Sequence, residues 1–592
     1  MELFWVGEGE NVKARLTSTD TVKLPRYFLL TLVLSYLLLG FFGRDPWKYD
    51  DAIGFGVVQS ILENGGDLWF FPQIAGVSLD NFPILPFWLN AGINQLLIKL
   101  PFSEYVLSTL GSLVWGGLFF FFLWNAAYEW SIHLDAQPEK LPFGGQPKPN
   151  EFATTLADGA VLLAVSTVGL STKLHEISAF AAQMCFVTLC FWGVAQLLNA
   201  KKSAVFLVSI GLFGLYFSLS KVAAFTVFGA MLAIAMLSPK YRQDSQGKGT
   251  LGRLLIIAFI FLLWSTLDAV FSGVFPSTNR QVLLISSDSF WVFAKSILSN
   301  FSWAFWPTWF LSGVFLIFCI KKSNYLQRML LLMLSILLLV AVVEKTAEAM
   351  LFLSVPPLII LTSSAFVFIR RSIISMLDSF AFVLFGFLIL FLWLGWAAMF
   401  FGVPESLARS AARLVPGFVM PFQWVSFIVS VVLTLFWLGV IIWRLRWHPR
   451  VLWRGVVLSA AGMTACWGIL NSLWMPSLNY SKSYRELTLS ASKVFYKHAQ
   501  FGDRDVCVAT EQLDLPQRAM FAYMADLPLA LSVQQSSHCR FLLIQDHVIN
   551  RHDDTLPKRP ESGRWIKMWE SRRPTESEWR YRLYRWQSKT TL

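Results

Sequence analysis

FLLTLVLSYLLLGFFGRDPWKYDDA, residues 28–52, decides the fold class. Phe28 to Phe42 run apolar almost without a break. Crossing about 30 Å of hydrocarbon takes about 20 such residues as a helix. The chain then leaves the lipid through Gly43-Arg44-Asp45-Pro46-Trp47 and presents adjacent carboxylates, Asp50 and Asp51, at the water boundary. Carboxylates held beside lipid are costly unless they pair, bind a cation or do chemistry.

The rest of the chain repeats the first half of that pattern. Charged residues make up 15% and hydrophobic ones 55% of the 592 residues, well away from the soluble norm of about 25% charged. The 53 Phe and 26 Trp suit lipid-facing surfaces and interfacial belts. The N-terminal stretch is polar and mixed in charge and leads straight into a span, which does not read as a cleavable signal. A net charge of +12 does not indicate nucleic acid here, because the Lys and Arg gather in short loops between spans.

Thirteen spans are expected, at 26–43, 105–124, 154–171, 179–199, 204–219, 222–238, 254–273, 303–320, 329–344, 347–368, 378–401, 424–443 and 455–473. Basic loops at Lys201-Lys202, Lys240 to Arg253, Lys321 to Arg328, Arg370-Arg371 and Arg444 to Arg454 then fall on one face. By the positive-inside rule that face is cytoplasmic. The N-terminus is expected inside, and Asp50-Asp51 and the C-terminal region outside.

Three exterior segments exceed simple connectors: 44–104, about 274–302, and 475–592. In the first, Ile53, Val57 and Ile61 recur at helical spacing and Asn64-Gly65-Gly66 supplies a stop. A second helix follows Pro83, in ILPFWLNAGINQLLIKL. Both are expected to lie on the membrane surface. The third segment is richer in charge. DVCVAT and CRFLLIQD read as buried strands, LPQRAMFAYMADL between them as a helix, and WIKMWESRRPTESEWRYRLYRW as a hairpin or edge strands. The division is a transmembrane domain over 1–474 and an exterior α/β domain over 475–592. Cys185, Cys190, Cys319 and Cys466 lie in spans as small apolar residues. Cys507 and Cys539 sit at the two strands, either disulfide-bonded in an oxidising compartment or buried as thiols.

Several segments carry a resemblance, in their order as much as in themselves. YDDA is followed by GGDLWFFPQIAGV and FPILPFWLNA, then by STKLHEISAF in a short exterior loop, GLFGLYFSLSKVA, and EKTAEAMLFLSVPPLIIL. The chain resembles the integral-membrane glycosyltransferases with the GT-C fold that use polyprenyl-phosphate sugars. Within them it is similar to the aminoarabinose (lipid A) transferase and protein O-mannosyltransferase family. The resemblance implies a mainly α polytopic membrane protein with a C-terminal periplasmic α/β domain, in a bacterial inner membrane. It also implies transfer of a sugar from a polyprenyl phosphate to a lipid, glycan or protein acceptor at the periplasmic face, so lipid A modification and protein glycosylation are both within its scope. One departure stands out. The family's Glu-Lys-Pro-Pro reads Asn81-Phe82-Pro83-Ile84 here, without the Lys that holds the donor phosphate.

Such a transfer needs a base, because the attacking hydroxyl loses a proton as it bonds to the anomeric carbon. Displacement in one step inverts that carbon. Asp51 matches the family's acid by its distance to Gly66, and Asp50 matches after a shift of one residue; either could instead cap the following helix. Glu176, with His175 beside it, is the second acid. The leaving polyprenyl phosphate needs cations. Lys345 and Lys221 stand at family positions, and Arg280, Arg409 and Arg413 lie in exterior loops. If an ion takes part, Asp51, Glu176 and His175 are its expected ligands, and hard oxygen donors suit Mg2+ or Mn2+. The Trp-rich SNFSWAFWPTWF reads as an interfacial belt or a groove lining.

No Gly-rich phosphate loop, Ser-His-Asp set or Cys-x-x-Cys pair occurs, and the cytoplasmic loops are short. A lipid-linked donor fits that better than a nucleotide sugar. Two other readings are a flippase for lipid-linked sugars and a non-catalytic envelope scaffold. A flippase predicts mid-span charges and internal repeats, whereas the acids here gather at one face.

Overall fold

The computed structural model describes residues 16–270 apart from 22–23, 48, 80–81, 200, 220 and 238–244; residues 295, 304, 306–309 and 311; and 352–588 apart from 369–370, 448–450, 500–505, 537, 549–555, 558 and 560–562. The expected spans 303–320 and 329–344, with Lys345 and Arg280, fall largely or wholly outside them.

The chain is mainly helical. In order come α1 (Arg26–Leu38), α2 (Tyr49–Asn64), α3 (Leu85–Leu97), α4 (Glu104–Ile132), α5 (Pro149–Ser166), α6 (Val168–Lys173), α7 (Phe180–Leu198), α8 (Ala204–Ser218), α9 (Lys221–Leu237) and α10 (Ser245–Val270). After the undescribed stretch follow α11 (Val355–Ala365), α12 (Arg371–Phe401), α13 (Glu405–Leu414), α14 (Trp424–Trp447) and α15 (Val451–Leu473). Short α16 (Met475–Lys482) leads to α17 (Arg485–His498) and α18 (Leu515–Tyr523).

Five described stretches are long and apolar enough to cross a membrane: Glu104–Ile132, Phe180–Leu198, Ile374–Phe401, Trp424–Arg446 and Gly455–Leu473. They divide by burial. The α7 and α15 stretches are 89% and 83% buried, those of α12 and α14 only 28% and 22%. The first two form the centre of the bundle, and the second two turn residues such as Phe387, Val425 and Leu435 outward, as lipid-facing helices do.

Local signals set the helix ends around Asp51. Ser103 caps α4 by accepting the Val106 N–H at 3.4 Å. Asp50 and Asp51 occupy the first turn of α2, where the helix dipole favours negative charge. That helix stops at Asn64 because Gly65 and Gly66 follow with φ of +58° and +56°, a region that favours glycine.

The helix α2, expected at the membrane surface, is enclosed by protein along most of its length. Every residue from Asp51 to Ile61 is buried. The helix is roofed by the C-terminal residues. Ala52, Phe55 and Ile61 share one core with Phe87, Phe495, Ala519 and Phe521. By contrast α3 is two-faced: Phe87, Asn90, Ala91 and Asn94 are buried, while Leu96 is 82% exposed.

The roof is a four-stranded mixed sheet with α17 and α18. Strands β1 (Gln73–Ile74) and β2 (Val77–Ser78) form a small hairpin beneath it. Then β3 (Val508–Glu511), β4 (Phe541–His547), β5 (Gly563–Ser571) and β6 (Trp579–Ser588) pair in the order β3-β4-β6-β5. β3 and β4 are parallel, joined through α18, and the other pairs are antiparallel, with a bulge between Lys567 and Trp569. Side chains alternate across the sheet: Phe541, Leu543, Tyr581 and Leu583 pack toward α2 and α18, and Leu542, Ile544 and Tyr584 form a smaller outer cluster with Cys539. Cys507 and Cys539 are disulfide-bonded, tying the entries of β3 and β4.

Candidate active site

Asp51 is fully buried at the start of α2, and four groups hold its carboxylate. Arg44 Nη2 lies 2.9 Å from Oδ2. The Tyr105 hydroxyl donates at 3.0–3.1 Å. The backbone N–H of Trp47 donates at 3.3 Å and that of Ile177 at 2.9 Å. Burial pushes the Asp51 carboxyl upward, and Arg44, Ile177 and Tyr105 oppose that shift. Charge-assisted donors on both oxygens are the arrangement that makes a buried carboxylate tolerable.

Arg44 is the hub. Its side chain is 2% exposed, its guanidinium lies 4.6 Å from the centre of the Trp47 ring, and Nη1 donates to the His175 carbonyl at 3.2 Å. Glu176 is buried nearby, with Lys173 Nζ 3.7 Å from Oε2; that ammonium also sits 3.9 Å from the Phe180 ring centre. One arginine and one lysine charge thus accompany two carboxylates in a desolvated cluster at one end of the bundle.

The expected acids separate in character. Asp51 and Glu176 are enclosed, whereas Asp50, one residue earlier on the same helix turn, is exposed. His175 is corrected as a metal ligand. Its Nδ1 is 2.6 Å from Ser171 O, and its Nε2 is 3.1 and 3.0 Å from the carbonyls of Tyr36 and Leu37. Burial, and then the Arg44 charge, push the imidazole down to about 4, outweighing those carbonyls. With both His175 nitrogens turned to the backbone and both Asp51 oxygens taken by donors, the trio Asp51, Glu176 and His175 does not fit a divalent cation. Cys507, His538 and Cys539 form a grouping of metal-binding size elsewhere, but its sulfurs are bonded to each other rather than present as thiolates.

The expected cations have the following surroundings where they are described. Lys221 begins α9, with its ammonium 5.6 Å from the Tyr216 ring centre. Arg409 and Arg413 are on α13, which buries no residue, and Arg409 is 3.7 Å from Glu405. Phe82 packs on Phe87, with ring centres 5.1 Å apart. The residues that sequence reading passed over are Arg44, Tyr105 and Lys173. For Arg44 a signal existed: a cation seven positions before Asp51 at the same membrane boundary.

Two cavities flank the cluster. An apolar one of about 530 Å3 lies within the bundle, lined by residues that include Trp306, Phe380, Phe385, Met463 and Trp467. Trp306 belongs to the Trp-rich run. The Trp467 ring lies 5.1 Å from that of His175, so one layer of side chains separates this cavity from Arg44 and Asp51. A polar basin of about 860 Å3 opens on the other side, between the 43–45 loop, α16, α17 and the β5–β6 turn, and Arg44 is on its wall.

No protein-family model matches the chain, and no curated protein sequence matches it. Solved structures do. ArnT from Cupriavidus metallidurans in the apo state aligns over 94% of this chain and 97% of its own, with a TM-score of 0.59 and 12% identity. The same protein bound to undecaprenyl phosphate gives the same values. The Archaeoglobus fulgidus oligosaccharyltransferase aligns over 88% of this chain and 69% of its own, at a TM-score of 0.42 and 10% identity. The chain therefore has the fold of ArnT, an aminoarabinose transferase of the GT-C membrane glycosyltransferase class.

Proposed function

We propose that this protein is a membrane glycosyltransferase that moves a sugar from a polyprenyl phosphate to an acceptor at the outer face of a bacterial inner membrane. The observation that carries the reading is the split in the acidic pair: Asp51 is clamped by four donors while Asp50 is exposed on the same turn. Asp50 is the general base and Asp51 the anchor that fixes its helix. The apolar cavity beside Trp467 suits the isoprenoid tail, and ArnT, whose fold the chain shares, has been crystallised with undecaprenyl phosphate.

In the transfer, Asp50 takes the proton of the acceptor hydroxyl as that oxygen bonds to the anomeric carbon. The bond from that carbon to the phosphate oxygen breaks, its electron pair leaves with the polyprenyl phosphate, and the configuration inverts. Arg44 and Lys173 supply positive potential close to the membrane boundary, where the leaving charge develops. Lys221 and Lys345, at family positions, are further groups for the donor phosphate.

The test is transfer from radiolabelled undecaprenyl-phosphate sugars to envelope extract by purified protein. Asp50→Asn is expected to lose at least about 100-fold in rate, with its melting temperature unchanged. Wild-type transfer by Asp50→Asn removes Asp50 as base. Mass spectrometry of envelope glycolipids and glycoproteins, with and without the gene, then identifies the sugar and acceptor.

A further inference from the structure

Helix α13 has no place in any described core. None of its 10 residues is buried, and none joins a described hydrophobic cluster. A helix this short is marginal in water on its own strength. Yet its two sides are fully sorted. At about 100° per residue, Leu407, Ala408, Ala411, Ala412 and Leu414 fall on one side. Glu405, Ser406, Arg409, Ser410 and Arg413 fall on the other. Leu414 is 74% exposed.

We propose that α13 lies in the headgroup layer of the bilayer on the roof side of the protein, its apolar side toward the acyl chains, with Arg409 and Arg413 binding the headgroups of anionic phospholipids. This binding does not depend on sugar transfer.

The neighbours of α13 in the chain place it at that depth. It joins α12 to α14, the two long described spans that expose most of their apolar length. Trp396, Phe400 and Phe401 close α12, and Phe422 and Trp424 open α14. Their rings form one cluster, with centres 5.4 Å apart for Trp396 and Phe400, 5.5 Å for Phe400 and Phe422, and 4.9 Å for Phe422 and Trp424. Phe401 and Trp424 are exposed. Aromatic residues gathered at the ends of spans mark the boundary between lipid and water. Glu405 comes four positions after Phe401, at most about 14 Å of chain.

The ends of the helix are fixed and its length is bare. Gly402, at φ +75°, stops α12, its N–H donating to Ala398 O at 3.1 Å. Gly417, at φ +77°, turns the chain again, and the Tyr480 hydroxyl of α16 donates to Pro416 O at 2.8 Å. Because α16 leads into the roof, that bond sets the side of the membrane.

Charge selects anionic lipid. Between Phe401 and Trp424 the chain carries Arg409 and Arg413 against one carboxylate, Glu405. Arg409 Nε lies 3.7 Å from Glu405 with both side chains largely exposed, a weak pair. Arg413 makes no ion pair among the described residues; its Nη2 donates to the Ser410 hydroxyl at 3.3 Å. Guanidiniums on the polar side of an apolar helix meet lipid phosphates at the depth where its other side meets acyl chains. A protein partner is the poorer match. Protein interfaces centre on large anchors such as Trp, Tyr and Arg, and this apolar side offers three Ala and two Leu.

The experiment uses the full chain in phosphatidylcholine nanodiscs, with a bimane fluorophore on Leu414→Cys and wild type treated in parallel for background from its own thiols. Phosphatidylcholine or phosphatidylglycerol with brominated acyl chains is the quencher. Both lipids are expected to quench, and phosphatidylglycerol at a lower mole fraction. Adding Arg409→Gln or Arg413→Gln is expected to cut that preference by about 5-fold each, at an unchanged melting temperature. The paired Lys replacements are expected to keep most of it, because an anionic surface reads charge. Equal quenching by the two lipids, or a preference that survives both Gln changes, overturns the proposal. A fluorophore that neither lipid quenches also overturns it and leaves the face to a protein partner.

Discussion

Ile177 touches α2 twice from 126 positions away. Its N–H donates to Asp51 Oδ1 at 2.9 Å, and its carbonyl oxygen lies where a Cβ on Gly54 would come within 1.9 Å. The loop after α6 is therefore pressed onto the first turn of α2 backbone to backbone. Glu176 rides on the same loop, so this contact sets the distance between the two buried carboxylates.

Gly54→Ala is expected to force that loop off the helix. The clashing atom is main chain and cannot rotate away. Overpacking of this kind costs about 1–3 kcal/mol, and here it also removes the Ile177 donor from Asp51. A lowered melting temperature in detergent, with transfer reduced beyond what the lost folded fraction explains, is the expected result. Gly92→Ala, where nothing lies within 4 Å of the added atom, is the control that should leave both unchanged.

The two neighbouring acids are expected to differ sharply when truncated. Asp51→Ala leaves the Arg44 guanidinium buried and uncompensated, a change that typically costs about 3–5 kcal/mol. Asp50 is exposed, and Asp50→Ala should stay within about 0.5 kcal/mol of wild type. Thermal unfolding separates them. A stable Asp51→Ala protein contradicts the clamp described for Arg44.

That contrast shows how far sequence carries. The carboxylate pair, its place at a membrane boundary and the stop at Gly65-Gly66 are local patterns, legible within about 25 residues. The strands around Cys507 and Cys539 announce themselves as short apolar runs. What decides which acid is enclosed is not local. Ile177, Tyr105 and the Ala519 side of α18 reach α2 only through the tertiary fold. The same holds for α2 itself, which looks like a surface helix until a roof more than 400 positions later covers it. His175 misled for a related reason. An imidazole beside an acid invites a metal, and only the fold shows Nε2 turned to the α1 carbonyls and Nδ1 to the Ser171 carbonyl of α6.

His175 should make stability depend on pH. Its folded-state value is lowered from 6.5 to about 4 because burial and Arg44 disfavour the imidazolium. The unfolded chain therefore takes up a proton at a pH where the folded chain does not. The contribution is fully present above about pH 6.5 and is lost as pH falls toward 4, amounting to about 3 kcal/mol across that window. Carboxylates titrate over part of the same window, so the measurement is a difference. Melting curves of wild type and His175→Gln should converge toward pH 4 if Gln cannot replace the lost hydrogen bonds above pH 6.5. Parallel curves would show that this ring does not set the dependence.

Arg518 is expected to hold the roof to the membrane part. It projects from α18, and five hydrogen bonds fan out from it. Nε lies 3.2 Å from the carbonyls of both Ile74 and Ala75, Nη2 2.6 Å from Ala75 O and 2.8 Å from Ala530 O, and Nη1 2.6 Å from Thr510 Oγ1. Burial lowers the guanidinium from its ordinary value, and the backbone carbonyls that face it come from the β1–β2 turn and the loop after α18. Ala75 itself has φ of +45°, a strained conformation for a residue with a Cβ. The fan holds its carbonyl, and the Tyr523 hydroxyl accepts from its N–H at 3.3 Å. Arg518→Ala strips the donors from three carbonyls at once, and each hydrogen bond to a charged group is worth about 1.5–3 kcal/mol. Limited proteolysis should then cut first within 66–84, before any span is lost. Arg518→Lys should rescue little, because one ammonium cannot reach the carbonyls of Ala75 and Ala530 and the Thr510 hydroxyl together. If Arg518→Lys resists protease like wild type, the fan is dispensable and the roof is held by the apolar core that α2 shares with α17 and α18.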